Sequence, residues 1–318
     1  MEPDFEGIIA LLRNQDHPFA SSHLASLSDL DRDQTERFRS IWSQLPIERR
    51  RHLIKEFGKL ANDHIEYCFE RINRFAIHDP DAAVRRQAID NLWECEDPKL
   101  VPPLLAALTE DTDPKVQAAA GTALSRFVYL GELDQLESKL LTQLEDVLLH
   151  TATESPHPEV RIRSLEALGY SSRQEVAPLI MQAYESADEQ FQLSALLAMG
   201  RSANKQWKPQ VYAEMRNPSP ALRAQAAWSA GELELIETVP ELVDLLGDVD
   251  DTVRRAATWA LGQVGGKQAR RALSDLLDIT DDGEESAWIE DALDHLAFVD
   301  NTRDFVLLEF DEPEGPSI

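Results

Sequence analysis

Four glycines, Gly169, Gly200, Gly231 and Gly262, stand 31 residues apart, and this equal spacing constrains the fold more than any other feature of the chain. A repeat of that length is a single supersecondary unit too small to bury its own apolar face, so the units must stack on one another. Pro178, Pro209 and Pro240 keep the same interval. Nine residues before the glycines lie Val160, Phe191, Leu222 and Val253, and the series of anchors continues backward, less regularly, to Val116 and Val84. Six units align in this way.

Three residues before the anchors stand Asp81, Asp113, His157, Asp188, Ser219 and Asp250, mostly side chains that cap helix N-termini. Pro114, Pro158 and Pro220 follow directly, at the first helical position, where a missing N–H costs nothing. Each unit therefore starts a helix here. The repeated glycine is expected just past the end of that helix, as a left-handed residue closing its last turn. At helical spacing, the fourth position after the anchor reads Ala88, Ala120, Ser164, Ala195, Ala226 and Ala257, and the eighth reads Leu92, Leu124, Leu168, Met199, Ala230 and Leu261. Small residues at one point and mostly large ones a turn later suit closely packed helices. A second helix follows, seen in Leu242, Val243, Leu245 and Leu246 and again in Leu273, Leu276 and Leu277.

The spacing divides the chain into an N-terminal helical cap at 1–77, the repeats at 78–299, and a C-terminal apolar segment and acidic tail at 300–318. The unit at 112–155 is longer than the rest, with Gly131-Glu132-Leu133 extending the link between its helices. Residues 282–299, with Trp288, Ala292, Leu293 and Leu296, read as a degenerate seventh helix over the open end. The run from Asp304 to Phe310 is expected to fold back on the last helices, or else to be a short docking segment for a partner, and Asp311 to Ile318 to be a disordered tail.

With 43% hydrophobic residues in 318, the chain can bury a sizeable core. Its net charge of −27 repels phosphates and anionic membrane surfaces, which argues against nucleic-acid and membrane partners. Neither a signal peptide nor an apolar stretch of membrane-spanning length stands out, so a soluble, cytoplasmic protein is expected. Cys68 and Cys95 are too few for a disulfide framework or metal cluster and are expected as small buried residues.

The pattern of Asp250 to Leu277, with a capping Asp, Val-Arg-Arg, Ala-Ala, Ala-Leu-Gly-Gln-Val-Gly and a leucine-rich second helix, resembles the HEAT repeats of the phycobilisome-lyase-like, armadillo-type subclass. The resemblance covers residues 78–299. It implies an all-α fold, a right-handed α–α superhelix of about six to seven helix pairs, with Arg85, Arg161, Arg223 and Arg254 joining neighbouring units through capping carboxylates. It also implies mostly scaffolds and adaptors, with a few enzymes among them. Deoxyhypusine hydroxylase, one such relative, holds two irons with His-Glu pairs, whereas none of the eight histidines here is followed by Glu. Bilin lyases are another, and their pockets lack a diagnostic triad to compare.

No phosphate-binding loop, dinucleotide fingerprint or nucleophile elbow is present, and Gly262-Gln263-Val264-Gly265-Gly266 reads as a helix stop. The reading is a non-catalytic protein–protein interaction scaffold with no catalytic residue, metal or cofactor. The alternative is a bilin lyase subunit or lyase-like chaperone. Residues 275–318 hold fifteen acidic residues against one Arg, which suits a protein partner with a basic surface. Trp228 and Trp259, equivalent in successive units and about 240° round the helix from the anchor, are the candidate partner-binding residues.

Overall fold

The first helices begin where a short polar side chain takes a free amide. Asp81 accepts from Val84 N at 3.2 Å, Asp113 from Lys115 N at 2.8 Å, Asp188 from Gln190 N at 2.9 Å and Asp250 from Thr252 N at 2.9 Å. Ser219 departs from this pattern, since its hydroxyl donates to Glu189 Oε1 at 3.2 Å. The computed structural model describes residues 5–13 and 21–309, with side chains placed for 5–12 and 23–300. Its regular structure is entirely helical, with no strand among the described residues.

The chain divides into two compact units, Met1–Ala167 and Leu168–Ile318. The first holds α1 (Phe5–Arg13), α2 (Arg32–Trp42), α3 (Ile47–Asp63), α4 (Glu70–Ala76), α5 (Ala82–Asp90), α6 (Val101–Glu110), α7 (Pro114–Glu132), α8 (Ser138–Glu154) and, closing it, α9 (Pro158–Leu168). Within it α3 packs on α5 and α5 on α7. Phe38, Trp42 and Phe57 form an aromatic core beneath the N-terminal helices. The second unit holds α10 (Val176–Tyr184), α11 (Glu189–Arg201), α12 (Lys208–Glu214), α13 (Pro220–Glu232), α14 (Val239–Leu245), α15 (Asp251–Val264), α16 (Lys267–Ile279) and α17 (Gly283–Glu309). Here the first helices α11, α13, α15 and α17 stack in order. Every expected small position, from Ala88 to Ala257, is fully buried. The second helices are joined at their sides: the Tyr184 hydroxyl donates to Glu214 at 2.7 Å and that of Tyr212 to Glu241 at 2.5 Å. Burial, reinforced by Glu214, pushes the Tyr184 phenol up to about 12.

The repeated glycine is not the left-handed stop that its position suggested. Gly200, Gly231 and Gly262 lie inside α11, α13 and α15, and the residues with positive φ come three later, at Ala203, Glu234 and Gly265. These three keep the 31-residue interval, but with three different residue types the sequence hid it. What the glycines share is the backbone of the next first helix. A Cβ on Gly169 would stand 2.8 Å from Ala198 Cα, on Gly200 3.2 Å from Ser229 Cα, on Gly231 3.0 Å from Ala260 Cα, and on Gly262 2.9 Å from the Ala292 carbonyl oxygen. Glycine is needed at these points for close approach, and its lower helix propensity, about 1 kcal/mol against Ala, is outweighed by packing. Ser229 adds a hydrogen bond across the same contact, donating to Leu196 O at 2.8 Å.

The long unit at 112–155 is extended in its helices rather than its link. Gly131 and Glu132 lie in α7, and a Cβ on Gly131 would meet the Leu141 side chain at 2.5 Å. Residues 304–309 continue α17 as helical backbone, and their side chains, like the tail from Phe310 onward, lie outside the described residues. The cysteines also depart from expectation. Both are free, with Cys68 exposed and Cys95 half-buried.

Arginine joins adjacent units, through a carboxylate that lies two residues before the helix cap. Arg85 donates to Asp111 at 2.7 Å through two nitrogens, and Arg223 to Asp248 at 2.7 and 2.8 Å. Each also donates to a carbonyl six residues back, Asp79 O and Asn217 O, both at 2.9 Å. Asp111 and Asp248 in turn accept from the amides of Asp113 and Asp250, each at 2.9 Å. One bidentate pair thus ties the loop before one helix to the loop before the next. Arg254 follows in part, donating to Asp248 O at 3.0 Å and standing 3.5 Å from Glu285, while Arg161 turns to Ala152 O at 3.1 Å. A capping Asp is itself the partner at Asp81, which takes Arg51 at 2.7 and 3.0 Å.

Replacing Gly262→Ala presses a Cβ into backbone that has no rotamer to yield, and should lower stability by about 1–3 kcal/mol. Ala203→Gly, which relieves a non-glycine residue at φ 50°, should raise it by up to about 1 kcal/mol. Urea unfolding of both variants separates the two roles. The Asp248 carboxyl is held below the usual carboxylate range, chiefly by the Arg223 hydrogen bond and against burial. Its lowered native pKa means that the pair stabilises the fold above the ordinary Asp range near pH ~4, and that this contribution is lost as pH falls through the native value. Asp248→Asn should cost about 1.5–3 kcal/mol at pH 7 and flatten the fall in stability between pH 5 and pH 3, measured by urea midpoints across that range.

Candidate functional site

The two candidate tryptophans owe their placement to the glycine contacts. In α13 and α15 the residue after the indole is the one seated on the preceding helix's glycine, Ser229 on Gly200 and Ala260 on Gly231. Each indole therefore leans over the same glycine. Trp228 Cζ3 lies 2.9 Å, and Trp259 Cζ3 2.5 Å, from where a Cβ would stand. The rings are half-buried and stack on each other with centroids 5.8 Å apart and planes 9° from parallel. The Cζ3 edges are packed over these glycines, and part of each ring remains exposed.

The ridge leads into a groove of about 390 Å³ between α15 and α17. Arg255 and Trp259 line it from α15, and Trp288, Asp291 and His295 from α17. Residues 255, 259 and 263 share one helix face, as do 288, 291 and 295. Over the Trp288 ring the guanidinium carbon of Arg255 stands 3.3 Å from the centroid, and its Nη2 is 3.1 Å from Glu284 Oε1. The site thus combines indole faces, an internal cation and carboxylates, a set suited to holding a partner side chain. Among the described residues, no three His, Cys, Asp or Glu side chains come together as a metal-holding group.

Arg255, Trp288 and Asp291 were not singled out as site residues from sequence. Trp288 is 29 residues after Trp259, outside the 31-residue register. The contact that defines register is Ala292 on Gly262, which makes Asp291 the structural counterpart of Trp228 and Trp259. From Ala260 to Ala292 is 32 residues, so one added residue before α17 shifts the pattern. Aligning Ala292 with Ala260, rather than counting 31, was the signal that could have found it.

A second groove, of about 380 Å³, lies in the first unit between α3, α4 and α5. Cys68, Cys95 and the exposed Trp93 line it, and Arg74 approaches Cys95 Sγ at 3.6 Å. Burial pushes the Cys95 thiol up, so it is a poor thiolate nucleophile. No helix among the described residues is long and apolar enough to cross a membrane.

A family model described as HEAT repeats matches residues 74–155, 145–211 and 208–294. No curated protein matches the sequence. Among solved structures, the complex of CpcE and CpcF of phycocyanin lyase from Nostoc sp. is similar with a TM-score of 0.49 and 17% identity, over 71% of this chain and 94% of that one. Human deoxyhypusine hydroxylase in complex with glycerol gives 0.37 and 17%, over 83% and 97%. Kap95p, in a structure of its binding to RanGDP, gives 0.50 and 14%, over 98% of this chain and 48% of its own. At 14% identity the likeness to Kap95p shows the fold alone.

If Trp228 and Trp259 support each other as the stack indicates, a double-mutant cycle with Trp228→Leu and Trp259→Leu should give a coupling of about 0.5–1.5 kcal/mol in urea unfolding. A coupling near zero would mean that the rings touch without stabilising each other.

Proposed function

We propose that the chain, which belongs to the HEAT-repeat family, is a non-catalytic protein–protein interaction scaffold that holds a protein partner through Trp228 and Trp259. The observation that supports this reading is the half-buried indole stack, part of which remains exposed. Two large apolar rings are fixed over glycines in consecutive units, so little side-chain freedom is lost when a partner covers them. Tryptophan is enriched at binding hot spots for this combination of area and rigidity. The acidic C-terminal end suits a partner with a basic surface, whose association rate falls as salt screens the attraction.

The alternative, a bilin lyase subunit or lyase-like chaperone of the phycobilisome-lyase type, makes a different forecast: the purified chain should take up a bilin in stoichiometric amount. The scaffold reading forecasts none, and instead a recurrent stoichiometric partner when the tagged chain is purified from its native cell and the eluate identified by mass spectrometry. Replacing Trp228→Leu and Trp259→Leu together keeps apolar cover over Gly200 and Gly231 while removing most of the ring surface. The double variant should lose about 2 kcal/mol or more of partner affinity per true hot spot, with its cooperative unfolding retained. Undiminished capture by a folded double variant would make the stack structural, and bilin uptake would replace the scaffold reading.

A further inference from the structure

The indole stack ends one layer early. Trp228 lies against Trp259, but the third place, set by Ala292 on Gly262, holds Asp291. The groove between α15 and α17 opens at this point, with the Trp259 indole on one wall and the Asp291 carboxylate on the other. Asp291 is exposed and has no ion-pair partner among the described residues. One turn away, the chain supplies its own example of what such a pair takes up. There the guanidinium carbon of Arg255 stands 3.3 Å from the Trp288 ring centroid, and the group pairs with Glu284. A guanidinium is planar, stacks on an indole and pairs with a carboxylate in one pose, which an ammonium does less well.

We infer that the groove beside Trp259 is an arginine-binding subsite, in which an arginine of a basic protein partner stacks as the third layer of the Trp228–Trp259 column and pairs with Asp291. The inference rests on the scaffold reading and names the chemistry of its partner. Charge selects this occupant. Asp291 lines the groove, and Glu284, Glu285, Glu290 and Asp294 lie on the same helix α17, within a 44-residue stretch that holds fifteen acidic residues and one Arg. Such a surface repels a second copy of this acidic chain and attracts a cationic segment.

The test uses the full chain labelled with ¹⁵N and the blocked peptide acetyl-Gly-Arg-Gly-Arg-Gly-amide, with counterparts in which both arginines are replaced by citrulline or by lysine. Indole N–H signals report binding, with those of Trp259 and Trp288 assigned through Trp259→Phe and Trp288→Phe. The arginyl peptide should shift the Trp259 signal saturably. Citrulline, which keeps the shape and loses the charge, should bind at least about fivefold more weakly, and lysine several-fold more weakly. Asp291→Asn, at an exposed position, should weaken the arginyl peptide about tenfold and leave the urea midpoint unchanged. Absence of a saturable shift overturns the inference, as does equal binding by Asp291→Asn or by the citrulline peptide. A Trp259 shift that tracks protein concentration instead of peptide overturns it in favour of self-association. If the peptide fails while the Trp228→Leu/Trp259→Leu variant still loses its copurified partner, only the arginine subsite falls. If the peptide binds as described while that variant keeps its partner, the anchor reading falls instead.

Discussion

Close approach of successive first helices, backbone to backbone across a glycine, is the contact on which the second unit depends. Side chains of ordinary size would hold these helices apart, and the spacing observed leaves no room for a Cβ at Gly169, Gly200, Gly231 or Gly262. The contact also sets register. Because the glycine meets one particular residue of the next helix, every other position on that helix is placed in turn, including the small residues that fill the interior and the large ones that project sideways. Packing of this kind is local, so each unit is stabilised by its neighbours and the array is extended by repetition.

The loops need a different solution, since they expose amides and carbonyls that the helices leave unpaired. Two polar side chains two residues apart share the work before a first helix. One caps the helix and the other accepts the cap's own amide, as Asp250 and Asp248 do. An arginine from the preceding unit then binds the outer carboxylate with two nitrogens and a loop carbonyl with a third, as Arg223 does. In the first unit the equivalent Asp79 is buried, accepting from Trp42 Nε1 at 2.7 Å and standing 3.3 Å from Arg50. A buried carboxylate is tolerated there because its oxygens are all engaged.

The candidate site is a by-product of the same register. An indole directly before the glycine contact has its inner edge on that glycine and its neighbour's indole at stacking distance, so two tryptophans in successive units form a column without any further design. Where the third unit substitutes Asp291, the column stops and a groove opens beside a carboxylate. The proposed binding site thus lies at the place where the repeat becomes irregular.

The all-α class, the helix starts at Asp81, Asp113, Asp188 and Asp250, and the buried faces of the first helices were legible in the sequence, because capping and the 3.6-residue period are local effects. The equivalence of Trp228 and Trp259 was legible for the same reason. The role of the repeated glycine was not, since a left-handed cap and a close helix contact both select glycine, and only the neighbouring helix distinguishes them. The true stops at Ala203 and Glu234 carry no glycine and so left no mark. Likewise Arg223 was seen as a link between units, but its partner Asp248 lies outside the capping position that spacing suggested. The groove formed by Trp259, Trp288 and Asp291 depended on one inserted residue and on how α17 sits against α15. Tertiary structure alone decided it, because register between helices is set by which side chains and backbones meet in space, whereas the sequence records only the period along each helix.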